Sequence, residues 1–133
     1  MRRGGNEDML NKLRDEVHQN AKEHGWWEDE RSFGEIIALC HSELSEALEE
    51  YRNGKTETYY SCKDVGCHYP NSEHCKPCQR AKPEGIPVEL ADCIIRILDY
   101  CGKEGIDIEE AIRIKHEYNK TRPYKHGGKK IRN

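Results

Sequence analysis

Nowhere does this sequence hold a run of about 20 apolar residues, the length a membrane-spanning helix needs. The opening Met1-Arg2-Arg3-Gly4-Gly5 leads into polar sequence, so no secretory signal is expected and the expected location is the cytoplasm. An excess of positive charge is missing too. A net charge of -3 and a pI near 6.2 speak against general binding to nucleic acid or to a membrane surface. Nothing alternates with the period of a strand, and no internal repeat appears, which leaves an all-α reading. Apolar residues are few: 35% are hydrophobic, no more than are charged, and the mean hydropathy is -1.05. A chain of 133 residues can build one core but not two, so a single domain over 1–133 is expected. Its polarity fits helices with long solvated faces and a core completed by self-association. Cysteine is not scarce. Seven of them in a cytosolic chain point to metal or free thiols before disulfides.

Four helices can be read from the pattern. Met9, Leu10, Leu13 and Val17 lie at helical spacing within residues 7–24, which end at His24-Gly25. Ser32, with Glu35 three residues on, opens a second helix reaching Arg52. Its apolar stripe is Phe33, Ile37, Cys40, Leu44, Leu48 and Tyr51. Pro87 starts a third helix, expected to stop at Gly102. Asp107, with Glu110 three residues on, opens a fourth helix that ends near Asn119. Residues 54–85 have no helical period and form an insert between the second and third helices.

Two short acidic motifs stand on these helices: Glu43-Leu44-Ser45-Glu46 and Glu89-Leu90-Ala91-Asp92. Acids three residues apart project from one helix face. On the second helix, Glu43, Glu46 and Glu50 lie roughly 100–160° from the apolar stripe at 100° per residue, which alone would suit a solvated face. The third helix tips the balance. It is apolar nearly all round and reads as buried, yet Glu89, Asp92 and Arg96 share one strip of it. Buried acids need a partner or a metal. Arg96 can pair with one of them but cannot neutralise a second helix's acids as well. Four carboxylates make an all-oxygen site of the kind Mg²⁺ prefers, and Mg²⁺ in turn suggests a phosphate-bearing substrate.

With the run from Gly25 to Arg52 and the ending Tyr118-Asn119-Lys120-Thr121-Arg122-Pro123-Tyr124-Lys125-His126-Gly127-Gly128-Lys129, these motifs resemble the MazG-like branch of the all-α nucleoside triphosphate pyrophosphohydrolases. The resemblance covers most of the chain outside residues 54–85. It implies a four-helix bundle that hydrolyses a nucleoside triphosphate to the monophosphate and pyrophosphate with Mg²⁺. It implies Glu43, Glu46, Glu89 and Asp92 as the metal ligands, and a homodimer or homotetramer with the site near the subunit contact. The family pattern begins with a doubled glutamate, where this chain has Ser42 before Glu43, so Glu49 or Glu50 would share the acidic roles.

A carboxylate not fully used in coordination, Glu46 or Glu49, would orient or deprotonate the attacking water. Positive charge for the phosphates would come from the C-terminal part: Lys115, Asn119 and Arg122, then Lys125, His126 and Lys129. The plainer alternative for that tail is a solvated basic segment. Trp26 and Trp27 either pack the first helix onto the second or place one ring, Trp27, on a nucleobase.

In the insert, Cys62-x4-Cys67-x7-Cys75-x2-Cys78 has the spacing of a structural zinc site with four sulfur ligands. The segment is too polar to fold around a core of its own, and a metal would supply that stability. Cys40, Cys93 and Cys101 fall on apolar faces and read as core. Two rival functions remain open: a non-enzymatic zinc-knuckle module contacting nucleic acid or protein, and a pyrophosphohydrolase of the same superfamily acting on another phosphorylated nucleotide.

Overall fold

The computed structural model describes residues 8–62 and 81–124. Cys67, Cys75 and Cys78 of the expected zinc site lie outside the described residues, as do Lys125, His126 and Lys129 of the basic ending. The described residues form helices α1 (Met9–Glu23), α2 (Phe33–Arg52), α3 (Ile86–Glu104) and α4 (Ile108–Thr121). No helix among them is long and apolar enough to cross a membrane.

The mainly helical reading holds, with one addition. Strands β1 (Tyr59–Ser61) and β2 (Lys82–Glu84) form a two-stranded antiparallel ribbon in which Tyr59 faces Glu84 and Ser61 faces Lys82. Three-residue strands are too short to show alternation, so period analysis passes over them.

The chain groups into two compact units, one holding residues up to His24 and from Leu98 onward, the other Gly25–Ile97. In the first, α1 is tied to the turn before α4. The Asn11 backbone N–H donates to Glu109 (3.0 Å), and its side-chain amide donates to Asp107 (2.9 Å). Asp107 also caps α4, accepting the Glu110 N–H at 3.0 Å as the Asp-x-x-Glu spacing predicts. Arg14 donates to the Ile106 carbonyl at 2.7 Å. Gly102 does not stop α3, because it serves as a contact surface. A methyl group there would meet the His18 Cβ at 2.5 Å. The helix runs one turn further and ends before Gly105, whose φ of +67° is left-handed. His18 is held by Asp99 of α3, Nδ1 to Oδ1 at 2.8 Å.

In the second unit, Ser32 caps α2 as expected, its hydroxyl accepting the Glu35 N–H at 3.1 Å. The face that α2 buries differs from the sequence reading. Ile36, Cys40, Glu43 and Ala47 are the buried residues, spaced i, i+4, i+7 and i+11. Of the expected stripe, Cys40 alone is fully buried, while Leu44 (46%) and Leu48 (50%) are exposed, with Phe33, Ile37 and Tyr51. The stripe centred on Leu44 therefore faces out of the single chain. The acid-bearing line next to it faces α3, where Arg96 meets Glu43 and the Cys93 thiol meets Cys40. Helix α3 differs in the same way. Glu89 and Cys93 are buried, but Leu90, Ile94, Ile95 and Ile97 are exposed, so α3 is not covered all round within one chain.

Candidate metal centre

One ligand oxygen from each of Glu43, Glu46 and Glu89 can be chosen so that all three lie within 4.8 Å of one another. Glu43 and Glu46 stand one turn apart on α2, and Glu89 comes from the first turn of α3. Both backbones hold these positions firmly. The first turn of α3 is closed by the N–H groups of Val88 and Glu89 donating to the Gly85 carbonyl at 3.1 and 3.0 Å. Glu43 (6% exposed) and Glu89 (8%) are buried, and Glu46 stands at the open edge.

The site holds more negative charge than the protein around it balances. The Arg96 Nε donates to Glu43 Oε1 at 2.7 Å. Glu89 receives no such partner: its Oε2 is buried with no hydrogen bond among the described residues. What reaches the Glu89 side chain is the carboxylate of Glu46. Burial, that contact with Glu46, and the charges of Glu46, Asp92 and Glu43 push the Glu89 carboxyl up to about 7. Asp92 stands beside the trio and is not one of its members. Its carboxyl is also pushed up, by burial and by Glu43, against the opposing pull of Arg96 and Lys82. Cys40 lies under the site with its thiol against Cys93, and burial pushes it up as well.

Such a donor set fits a hard divalent cation. All three ligand atoms are oxygens, two of the carboxylates are buried, and one buried oxygen has no donor among the described residues.

Other expected site residues are not members of this trio. Glu49 is exposed and accepts from Arg52 at 3.3 Å, so the trio does not include it. Glu50 belongs to a second polar group with Tyr59 and Glu84, in which burial and the two carboxylates push the Tyr59 hydroxyl up. Trp27 is half-buried. Its neighbour Trp26 carries the more specific contacts. The Arg31 guanidinium stacks 3.7 Å from the Trp26 ring centroid, and that of Arg96 lies 5.2 Å from it. Lys115, Asn119 and Arg122 are exposed on or just after α4, in the other compact unit, with Lys115 4.8 Å from the Tyr118 ring.

Arg31 was not legible as a site neighbour. Its only signal is a cation five residues after a tryptophan in a connecting segment. The burial of Glu43 did leave a trace, since the small or apolar residues Ile36, Cys40 and Ala47 share its helical line. No family model, curated protein or solved structure matches this chain, so its own residues and their geometry carry the functional reading.

Proposed function

We propose that this protein is a Mg²⁺-dependent hydrolase that converts a nucleoside triphosphate to the monophosphate and pyrophosphate. The observation that carries the reading is the convergence of Glu43, Glu46 and Glu89 on one point, with a buried Glu89 oxygen that no donor among the described residues satisfies. The resemblance of both acidic motifs to the MazG-like pattern supports the same reaction. When bound, Mg²⁺ supplies charge neutralisation and polarises a phosphoryl oxygen. The remaining work falls to the chain. Glu43 and Glu89, fixed on two helices, hold the site rigid, and Asp92 adds negative charge beside them. Glu46, at the exposed edge, orients the attacking water and takes its proton. Phosphoryl transfer needs alignment and charge stabilisation more than covalent help, which suits a site made of carboxylates on helices.

A panel of nucleoside triphosphates with Mg²⁺, scored for pyrophosphate, tests the reading. Pyrophosphate with monophosphate is the expected product pair. Orthophosphate with a diphosphate, or no turnover of any member, would overturn it.

Two further properties belong to this reading. The exposed apolar residues of α2 and α3, among them Leu44, Leu48, Leu90 and Ile94, are the surface on which a second copy packs to form a homodimer or homotetramer. A structural Zn²⁺ held by Cys62, Cys67, Cys75 and Cys78 stabilises the insert, and metal analysis of protein purified without chelator should find about one zinc per chain. A zinc content near zero would remove the second of these.

A further inference from the structure

We propose that Arg96 is a phosphate-contacting residue. With its Nε held by Glu43, its two terminal nitrogens bind an oxyanion of the substrate's phosphate chain beside the carboxylate trio. The proposal rests on the phosphohydrolase reading above.

Three observations carry it. The Arg96–Glu43 contact is made through Nε alone, at 2.7 Å, and the two terminal nitrogens make no hydrogen bond among the described residues. A guanidinium serving only as counter-ion to a buried carboxylate would be expected to engage it with two parallel bonds. Here one bond fixes the plane and leaves a pair of donors unspent. The pair is also open to solvent on the arginine side, the Arg96 side chain being 29% exposed against 8% for Glu43. Finally, the guanidinium lies 5.2 Å from the Trp26 ring, whose other close cation is Arg31 at 3.7 Å. Two positive groups thus meet at the Trp26 ring, and one of them, Arg96, stands in an acidic cluster that would otherwise repel a polyphosphate. A planar fork held at one nitrogen is pre-organised for two-point recognition of an oxyanion, and a lysine in its place, with a single nitrogen, cannot present two parallel donors.

The probe is inorganic pyrophosphate, titrated calorimetrically into the full chain with Mg²⁺ for wild type, Arg96→Lys and Arg96→Gln. Binding of Mn²⁺ without phosphate is followed by electron paramagnetic resonance. Arg96→Lys should weaken pyrophosphate binding by about tenfold or more, the effect of a lost charge-assisted hydrogen bond, with Mn²⁺ binding largely kept. Pyrophosphate binding by Arg96→Lys equal to wild type would overturn the proposal and assign Arg96 to charge balance alone. Absence of pyrophosphate binding in wild type would overturn it too. Should neither variant fold, wild type still decides: pyrophosphate should alter tryptophan emission, and Trp26→Phe should remove the change. Binding with unaltered emission goes against the proposal. The enzyme reading fails separately, if wild type binds Mn²⁺ and pyrophosphate yet turns over no nucleoside triphosphate.

Discussion

Glu46 of α2 and Glu89 of α3 bring carboxylate oxygens within 4.8 Å of each other, a like-charge approach that favours the protonated form of Glu89. A metal held by this trio would compete with that proton. Metal binding should release a proton from Glu89 over the pH range in which it is still protonated, up to about 7. Calorimetry of Mg²⁺ binding near pH 6, in buffers of different ionisation enthalpy, should show proton release that fades by about pH 8. Equal heats in all buffers at pH 6 would contradict a protonated Glu89 at the site.

Stability without metal should follow the same group. The Glu89 carboxyl is raised from 4.5 to about 7 in the folded chain, so the folded state holds the proton more tightly than the unfolded state. Its stabilising contribution is complete below pH 4.5 and is lost as pH rises through 7. Melting in chelator should show this loss between about pH 5 and about pH 8, and Glu89→Gln should flatten that part of the profile. A wild-type profile no steeper than the variant's would count against the assignment.

Substitutions in the trio should split by sign. Glu89→Gln removes an unsatisfied charge and should raise metal-free stability at pH 8 while abolishing Mg²⁺-dependent turnover, as Asp92→Asn should also do. Glu43→Gln weakens the Arg96 pair, and the loss is expected at about 1–3 kcal/mol with turnover lost as well. Glu49→Gln should change stability by no more than about 1 kcal/mol, because its pair with Arg52 is exposed, and should leave turnover largely intact. Urea midpoints in chelator and steady-state rates with Mg²⁺ check all four. Complete loss of activity in Glu49→Gln would give Glu49 the water-activating role.

Gly102→Ala sets two effects against each other. Alanine favours a helix interior by about 1 kcal/mol over glycine. Here its methyl would sit 2.5 Å from the His18 Cβ and 3.2 Å from the Arg14 carbonyl oxygen. Overpacking of this kind costs about 1–3 kcal/mol, so a net loss is expected, measurable by chemical denaturation. A stabilised variant would show that α1 gives way.

Self-association should depend on the outward stripe of α2. Leu44→Glu with Leu48→Glu should bring the mass by light scattering down to the chain's own 15.5 kDa. Wild type already at that mass would remove the interface.

The sequence made the helices legible because their ends carry chemical signals: Ser32 with Glu35, Asp107 with Glu110, and the glycine after His24. It misplaced the end of α3 because Gly102 looks like a stop when read alone, and the reason for it is His18, more than 80 residues away in sequence. The acidic motifs held three residues that the fold gathers, Glu43, Glu46 and Glu89, but did not show how the acids divide. Spacing puts Glu46 and Glu49 on equal terms, whereas the fold brings one into the trio and pairs the other with Arg52. The inner face of α2 was misread for a physical reason: most of the larger apolar side chains lie on the outward line, and the inward line holds one of them, Ile36, with Cys40, Ala47 and a glutamate.

The ribbon of β1 and β2 separates distance along the chain from distance in space. Ser61 and Lys82 face each other across it, so whatever lies between them leaves and re-enters the fold at a single neck. The Lys55 carbonyl, accepting the Ile86 N–H at 3.2 Å, fastens the start of α3 on the site's side of that neck. The entropic cost of closing a flexible loop grows only with the logarithm of its length. An excursion at this point can thus lengthen, shorten or acquire its own metal without moving Glu89 relative to Glu46. The neck is an insertion port, through which the chain can take on a new module while the carboxylate trio stays in register.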